Sequence, residues 1–166
     1  MKDMLDVNKL TTMYSDMIYH IAMRYFNTKE DAEDIVQEVF IKYIANYKNG
    51  KLFKTEEHEK YWLIRVTMNL CCNEISAARR RKNLPYNDSL YCEFNIASEN
   101  VLYTAVNKLK YPYKETFILF YIEDFKINEI SKILKTSESN IKKRLSRARK
   151  QVKDYMKRGE KSFESI

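Results

Sequence analysis

The sequence is poor in glycine and proline, with two of each among its 166 residues. Tight hairpin turns depend on glycine, Asn-Gly pairs and proline, so this shortage excludes a many-stranded sandwich or barrel and any collagen-like chain. Long hydrophobic runs are also missing, and none approaches the roughly 20 apolar residues that a membrane-spanning helix needs. The first six residues mix both charges, so no signal peptide is visible. We therefore expect a mostly helical, cytoplasmic protein that does not insert into membranes.

Cysteine and histidine are scarce, and their spacing matches no metal or redox site. Cys71 and Cys72 are neighbours, and Cys92 stands alone. His20 and His58 have no nucleophile or metal partner at a recognisable spacing. An odd number of cysteines argues against a secreted disulfide framework. We therefore expect reduced cysteines, no metal, no cofactor and no enzymatic activity.

Charge is plentiful but unevenly placed. The formal net charge is +7 and the isoelectric point is about 9.2, which suggests a polyanionic partner. Residues 1–46 carry five Lys/Arg against eight Asp/Glu, whereas residues 142–158 carry nine Lys/Arg against one Asp. A second basic cluster occupies residues 79–82. A single charge run is usually a solvated helix face, but this distribution favours a basic part that meets phosphate and an acidic part that meets a protein.

The first half of the chain predicts three helices. Apolar residues recur every three or four positions over residues 6–26, which predicts the first helix. Thr28 is suited to cap a second helix, which carries five carboxylates and no cation within residues 30–38. Residues 47–58 break the periodicity and predict a loop. A long helix over residues 59–82 is predicted to follow.

The second half predicts four helices after an aperiodic stretch. Residues 83–98 contain a proline, several Asn, Ser and Asp and no sustained period, and predict a linker. Helices are then predicted over residues 101–109, 113–123 and 127–134, and Ser137 is a good N-cap for a last helix. The first of these has a predicted apolar face of Val101, Leu102, Ala105, Val106 and Leu109. The last has a narrow predicted stripe of Ile141, Leu145, Ala148 and Val152.

A short helix, a tight turn and a basic helix with a thin apolar stripe are typical of a helix-turn-helix motif. The first helix holds the second so that its polar face enters the major groove, where Arg and Lys bond guanine edges or phosphates. One alternative is an amphipathic helix with a solvated basic face. Another is a helix-turn-helix transcriptional regulator that binds duplex DNA without polymerase, usually as a dimer.

Three segments together resemble bacterial RNA polymerase sigma factors of the extracytoplasmic-function group. Residues 30–44, EDAEDIVQEVFIKYI, resemble the helix of regions 2.1 and 2.2. Residues 61–69 resemble region 2.3, and residues 113–152 resemble region 4. Two departures occur in region 4. Lys135-Thr136 stand where the family often has Gly and an apolar residue, and Ser139-Asn140 replace the usual Gly-Thr.

The resemblance implies an all-α protein of two small helical domains. Residues 1–82 would form region 2, residues 83–98 a linker, and residues 99–166 region 4. It implies a sigma factor that directs core RNA polymerase to specific promoters and helps to open the DNA, while polymerase performs the chemistry. The implied partners are core RNA polymerase, through its β′ clamp helices and β flap, and promoter DNA. Whether an anti-sigma factor binds as well stays open at this point.

The resemblance also assigns roles to individual residues. Docking on polymerase falls to Asp34, Gln37 and Glu38. Recognition of the −10 element falls to Arg65, Asn69, Asn73, Arg79 and Arg80. Capture of an unstacked base falls to the loop at residues 47–58, with Phe53 and Tyr47 as candidate stacking residues and Trp62 expected in the core. Recognition of the −35 element falls to Lys142, Lys143, Ser146, Arg147 and Lys150.

Overall fold

A computed structural model describes residues 6–26, 28–51, 53–82 and 101–163. Within these ranges the chain forms helices and no strand, which confirms the predicted all-α class. A first group comprises α1 (Val7–Ala22), α2 (Lys29–Lys48) and α3 (Glu56–Arg81). A second group comprises α4 (Val101–Asn107), α5 (Tyr113–Tyr121), α6 (Ile127–Ile133) and α7 (Glu138–Phe163). The predicted linker, residues 83–98, lies outside the described residues. None of the described helices is both long enough and apolar enough to cross a bilayer.

Each helix of the first group begins at a side-chain cap. Asp6, Thr28 and Thr55 each accept a hydrogen bond from the backbone N–H three residues further on, at 3.1, 3.2 and 3.1 Å respectively. These caps satisfy backbone donors that would otherwise lack a partner in the first turn. The cap at Thr28 confirms the predicted start of α2.

Several predicted helix ends are wrong by a few residues. α1 ends at Ala22, four residues earlier than predicted, although Tyr25 and Phe26 remain buried beyond it. The predicted loop of residues 47–58 is shorter, because α2 continues to Lys48 and α3 already begins at Glu56. The end of α2 and the start of α3 are set by a glycine and by a capping side chain rather than by apolar periodicity. Gly50 adopts a left-handed conformation (φ 75°) just after α2, and the cap at Thr55 starts α3.

The first group is held together by buried apolar side chains and by one half-buried carboxylate. Its large buried side chains include Ile18, Ile21, Ile35, Val39, Leu63 and Ile64. Between the helices, the Glu59 carboxylate of α3 accepts hydrogen bonds from the hydroxyls of Tyr14 on α1, at 2.9 Å, and Tyr43 on α2. Burial, and next the hydrogen bond to Glu59, raises the pKa of both tyrosines. One carboxylate thereby fixes the relative position of all three helices.

The second group is built around the inward stripe of α7. Its stripe residues are all buried, as predicted: Ile141, Leu145, Ala148 and Val152. They pack with buried residues of the other helices, among them Leu109, Ile118, Ile130 and Ile133. The prediction for α4 is wrong at Leu102, which is 38% exposed. A seven-residue helix has few inward positions, and Ala105, Val106 and the following Leu109 occupy them.

The turn between α6 and α7 has the geometry of a helix-turn-helix motif without glycine. Lys135 adopts a left-handed backbone conformation (φ 50°) directly after Leu134, the C-cap of α6. Ser137 then caps α7 by accepting a hydrogen bond from the backbone N–H of Asn140 at 3.2 Å, as predicted. A lysine at this φ costs more than glycine would, but the fold tolerates it.

The two groups also touch each other. The Arg24 side chain, just after α1, forms an ion pair with Glu123, just after α5, with 3.2 Å between Nε and Oε1. On α3, the hydroxyl of Tyr61 lies 3.1 Å from Oε1 of Glu129 on α6. These contacts join residues that are 99 and 68 positions apart in the sequence, so sequence periodicity gives no sign of them.

Candidate functional site

The outward side of α2 is acidic. Asp34, Gln37 and Glu38 are all exposed, and we refer to them as the acidic face. They point outward because the opposite side of α2 is buried in the core, through Ala32, Ile35, Val39 and Tyr43. The only ion pair described for them joins Glu38 to Lys42, one turn along, at 4.0 Å. An exposed pair at this distance contributes little, so the acidic face stays available to a cationic partner.

One apolar side chain accompanies the acidic face. Ile41 lies three and seven residues beyond Glu38 and Asp34, which places it on the same side of the helix, and it is 65% exposed. Sequence reasoning missed Ile41, although its spacing from the carboxylates is a usable signal. The combination offers a partner both charge and a small apolar contact.

A polar face runs along α3. It consists of Arg65, Asn69 and Asn73, and we refer to it as the α3 polar face. Arg65 is half-buried, whereas Asn69 and Asn73 are exposed. All three line a cavity of about 410 Å³ whose opposite wall comes from the second group. The structure therefore brings these residues together, as the spacing predicts, but places part of the chain in front of them.

The other residues predicted for the −10 element lie elsewhere on α3. Arg79 is half-buried and Arg80 exposed, both in the last turn of the helix. Neither lines the cavity of the α3 polar face. Their neighbour Arg81 is paired with Glu74, at 2.6 Å between Nη2 and Oε1. The end of α3 is thus a separate basic patch and not a continuation of the α3 polar face.

Phe53, which lies between α2 and α3 in the sequence, is held against both helices by aromatic packing. Phe53 stacks on Tyr43, with 5.6 Å between ring centroids, and lies 5.3 Å from Trp62. His58 contacts the same phenyl ring edge-on at 5.5 Å. The rings of Tyr43, Trp62 and His58 therefore all contact Phe53 and hold it between α2 and α3. Trp62 is half-buried and packs within this cluster. Tyr47 is half-buried at the end of α2.

The outward side of α7 is basic. Its exposed residues are Lys142, Lys143, Ser146, Arg147 and Lys150, and we refer to them as the basic face. The buried stripe on the other side of the helix fixes this orientation. Arg147 is also positioned from a second helix, because its Nη1 lies 3.4 Å from the hydroxyl of Tyr113 on α5. Sequence reasoning missed this contact, which joins residues 34 positions apart. Cationic side chains on a helix held in this way can bond base edges and phosphates.

Two family models match the chain. The model described as "Sigma-70 region 2" matches residues 10–81, and the model described as "Sigma-70, region 4" matches residues 99–152. The first range includes the acidic face and the α3 polar face. The second range includes the helix-turn-helix motif and the basic face. Together the two matches span most of the chain, in the order that the sequence predicts.

Curated relatives match over nearly the full length. "ECF RNA polymerase sigma factor SigM" of Bacillus subtilis is 25% identical over 168 aligned residues, covering 93% of this chain and 98% of that protein. "RNA polymerase sigma factor SigV" of the same species is 28% identical over 145 residues, covering 84% of each. Both relatives carry the name of one family of transcription initiation factors.

Solved structures share the fold. The sigma factor RpoE of Bartonella quintana, crystallised with the anti-sigma factor NepR, superposes with a TM-score of 0.63 at 19% identity, covering 92% of this chain and 97% of that one. CnrH, in complex with the cytosolic domain of CnrY, gives a TM-score of 0.60 at 18% identity, covering 90% and 86%. At these identities the likeness concerns the fold alone.

Proposed function

Because the chain belongs to the sigma-70 family, in its extracytoplasmic-function group, we propose that it directs core RNA polymerase to specific promoters and helps to open the DNA there. Members of this family are transcription initiation factors and not catalysts. The observation that carries the proposal is the separation of charge between two helices, α2 and α7. The acidic face on α2 suits a cationic protein surface, and the basic face on α7 suits the DNA backbone and base edges.

The proposed partners are core RNA polymerase, promoter DNA and an anti-sigma factor. On polymerase, the acidic face would dock on the β′ clamp helices, and the second helix group on the β flap. Support for an anti-sigma factor comes from the two solved relatives described above, each of which was determined in complex with one or with a cytosolic partner domain. All of these contacts would be made in the cytoplasm.

Promoter DNA would be contacted at two places. The α3 polar face and the basic patch of Arg79 and Arg80 would meet the −10 element, where an unstacked base is held. The basic face of α7 would enter the major groove at the −35 element. Support for this division comes from the match of the two region models to separate parts of the chain. Phe53 packs on Tyr43 and Trp62, and Trp62 lies three residues before Arg65 on α3, which supports a fixed position of Phe53 next to the α3 polar face.

We further propose a division into residues 1–82, residues 83–98 as linker and residues 99–166. Most contacts between helices are made within each of the two groups, and this supports the division. It is tested by producing residues 1–82 and 99–166 as separate polypeptides and recording circular dichroism and thermal unfolding. Each should be helical and unfold cooperatively. If either piece is unstructured while the full chain folds, the boundaries are wrong.

The decisive experiment is co-purification with core RNA polymerase followed by run-off transcription from promoter DNA. Asp34→Lys should weaken binding to core polymerase and reduce specific transcripts, since it places a cation opposite a cationic partner surface. Asp16→Lys is the matched control, because Asp16 is also an exposed carboxylate, on α1. Helicity of both variants should match the wild type.

Two outcomes would contradict the proposal. Equal binding of Asp34→Lys and wild type to core polymerase would refute docking through the acidic face. Tight binding to promoter duplex without polymerase, with no stimulation of transcription, would instead favour a helix-turn-helix regulator.

A further inference from the structure

We propose that Tyr113 is a positioning residue for sequence recognition, because its hydroxyl holds the guanidinium of Arg147 and leaves two parallel N–H donors for a guanine of the −35 element. This inference rests on the proposed −35 role of the basic face. It adds a residue of α5, outside both the helix-turn-helix motif and the basic face, that determines which base the chain prefers.

The first observation is the contact between the two side chains. Nη1 of Arg147 donates a hydrogen bond to the hydroxyl of Tyr113, with 3.4 Å between the two atoms. Tyr113 lies in the first turn of α5, and its half-buried ring packs against the core. The hydroxyl is therefore presented by a ring that is held in place, whereas Arg147 is an exposed and long side chain.

The second observation is which nitrogen of Arg147 makes this contact. A guanidinium is a rigid plane that carries five N–H donors. The hydrogen bond to Tyr113 uses Nη1, so the opposite edge of the plane, formed by Nε and Nη2, keeps its donors. These two donors are parallel, as the N7 and O6 acceptors of guanine require for a bidentate contact. Tyr113 therefore orients the plane without occupying the pair of donors that reads guanine.

The first turn of α5 also faces a second arginine of α7. Glu115 lies two residues after Tyr113 and is 4% exposed. Burial raises the pKa of its carboxyl group, and the charge of Arg144 on α7 opposes that shift. Arg144 and Arg147 are neighbours along one side of α7, one turn apart. The contact of Tyr113 thus belongs to a larger junction between α5 and α7, which fixes the tyrosine relative to the basic helix.

The lysines of the basic face are not held in this way. Lys142, Lys143 and Lys150 are exposed, and among the described residues none of them has a hydrogen bond or an ion pair. An ammonium group is a point charge on a flexible stem, and it binds a phosphate from many directions. A base edge accepts a donor from one direction only. The restraint on Arg147 therefore favours base reading, whereas the lysines favour contact with the DNA backbone.

The test first identifies the base that Arg147 reads. DNA fragments with randomised −35 positions are enriched on the complex of the full chain with core RNA polymerase, which gives the preferred site. Fluorescence anisotropy then gives the Kd of that complex for the preferred site and for sites altered at one base. The ratio of the two Kd values is the preference at that position. Arg147→Ala should abolish the preference for one guanine.

Tyr113→Phe then removes the hydroxyl and keeps the ring. It should lower the preference for that guanine about threefold, as expected for the loss of one exposed hydrogen bond, and leave the other positions unchanged. In the Arg147→Ala background it should have no further effect, because no guanidinium remains to be oriented. Tyr121→Phe is the matched control, since Tyr121 is an exposed tyrosine at the other end of α5, and it should leave every preference unchanged.

The outcomes separate this inference from the function on which it rests. An unchanged preference in Tyr113→Phe, with the preference lost in Arg147→Ala, would refute the positioning role and leave the proposed function intact. A loss that is equal for all sites and persists in the Arg147→Ala background would make Tyr113 a direct phosphate contact instead.

Two further results would reach the proposed function itself. If Arg147→Ala weakens binding to all sites equally, Arg147 reads no base, and the positioning role of Tyr113 is refuted together with that part of the −35 assignment. If the complex enriches no sequence at all, promoter recognition by this chain is refuted and the inference with it.

Discussion

In the first helix group one half-buried carboxylate bonds to two other helices, whereas the α6–α7 pair of the second group is packed through aliphatic side chains. In the first group, Tyr14 and Tyr43 both donate to Glu59. In the second, the contact between the helices is made by residues such as Ile130, Ile133 and Ile141, each at most 1% exposed. Hydrogen bonds are directional and apolar burial is not. The comparison indicates that the first group gains defined geometry and the α6–α7 pair gains mainly stability.

The two groups also differ in which residues occupy left-handed backbone positions. In the first group, the left-handed position after α2 is filled by Gly50 (φ 75°). In the second, the left-handed positions are filled by Asp124 (φ 56°) and Lys135 (φ 50°). Residues with a Cβ are less stable in this region than glycine. The second group therefore combines a well-packed core with turns that could be made more stable.

The largest effect is expected in the aliphatic core. Ile141→Ala removes a fully buried side chain that joins α7 to the rest of the second group, and should lower the free energy of unfolding by about 2–5 kcal/mol. Ile41→Ala is the matched control, because Ile41 is 65% exposed, and should change it by less than about 0.5 kcal/mol. Chemical denaturation followed by circular dichroism measures both. Similar losses for the two variants would show that the α6–α7 core does not carry this stability.

The next effect concerns the basic face and DNA. If Arg147, held by Tyr113, reads a guanine edge, Arg147→Ala should cost about 1–3 kcal/mol on the preferred −35 sequence and much less on a site altered at that base. Lys150→Ala should instead weaken binding to all sequences alike and reduce the salt dependence. The measurement is the affinity of the polymerase complex for both sites at two salt concentrations. Equal losses across all sequences for both variants would leave Arg147 as a phosphate contact.

A smaller effect should appear in the free energy of unfolding at alkaline pH, through the hydrogen bond between Tyr43 and Glu59. Burial, and next hydrogen bonding to Glu59, raises the pKa of Tyr43 above its ordinary value near 10. The folded state therefore keeps its proton where the unfolded state loses it. The resulting stability is complete below pH 10 and is lost as the pH rises further. Between pH 9 and 11, wild type should lose about 1.4 kcal/mol more than Tyr43→Phe. Parallel pH curves for the two proteins would contradict the hydrogen bond from Tyr43 to Glu59.

The smallest effect is expected at the turns, with opposite signs in the two groups. Lys135→Gly should stabilise the protein by about 0.5 kcal/mol, because glycine adopts a left-handed conformation without the Cβ conflict. Gly50→Ala should destabilise it by about 1 kcal/mol for the same reason, since an added Cβ meets no atom within 4 Å and backbone conformation alone is tested. Thermal unfolding of the two variants measures both changes. A loss of stability in Lys135→Gly would show that the lysine side chain contributes there.

Much of the fold follows from patterns that are local in the sequence. The α7 stripe and the caps at Thr28 and Ser137 depend on spacing and on one polar side chain next to a backbone donor, and the structure confirms each of them. Apolar periodicity predicts the start of α3 three residues too late, because it takes no account of the polar cap at Thr55. A threonine followed by three glutamates in the first turn was a sufficient signal.

The arrangement between the two groups could not be predicted in this way. The meeting of Arg24 with Glu123 and of Cys72 with Glu115 depends on tertiary placement across 99 and 43 positions. Periodicity assigns a residue to a face of its own helix but does not say what covers that face. For the same reason the sequence identified Arg65, Asn69 and Asn73 as neighbours but gave no sign of the wall in front of them.

The aromatic cluster around Phe53 has an optical consequence. Trp62 is the only tryptophan of the chain, and it lies in this cluster, against Phe53 and Tyr43. Light at 295 nm excites tryptophan selectively, so the emitted fluorescence originates from the first helix group alone. Circular dichroism at 222 nm, by contrast, sums over every helix. Recording both signals on one unmodified sample therefore separates the response of the first group from that of the whole chain.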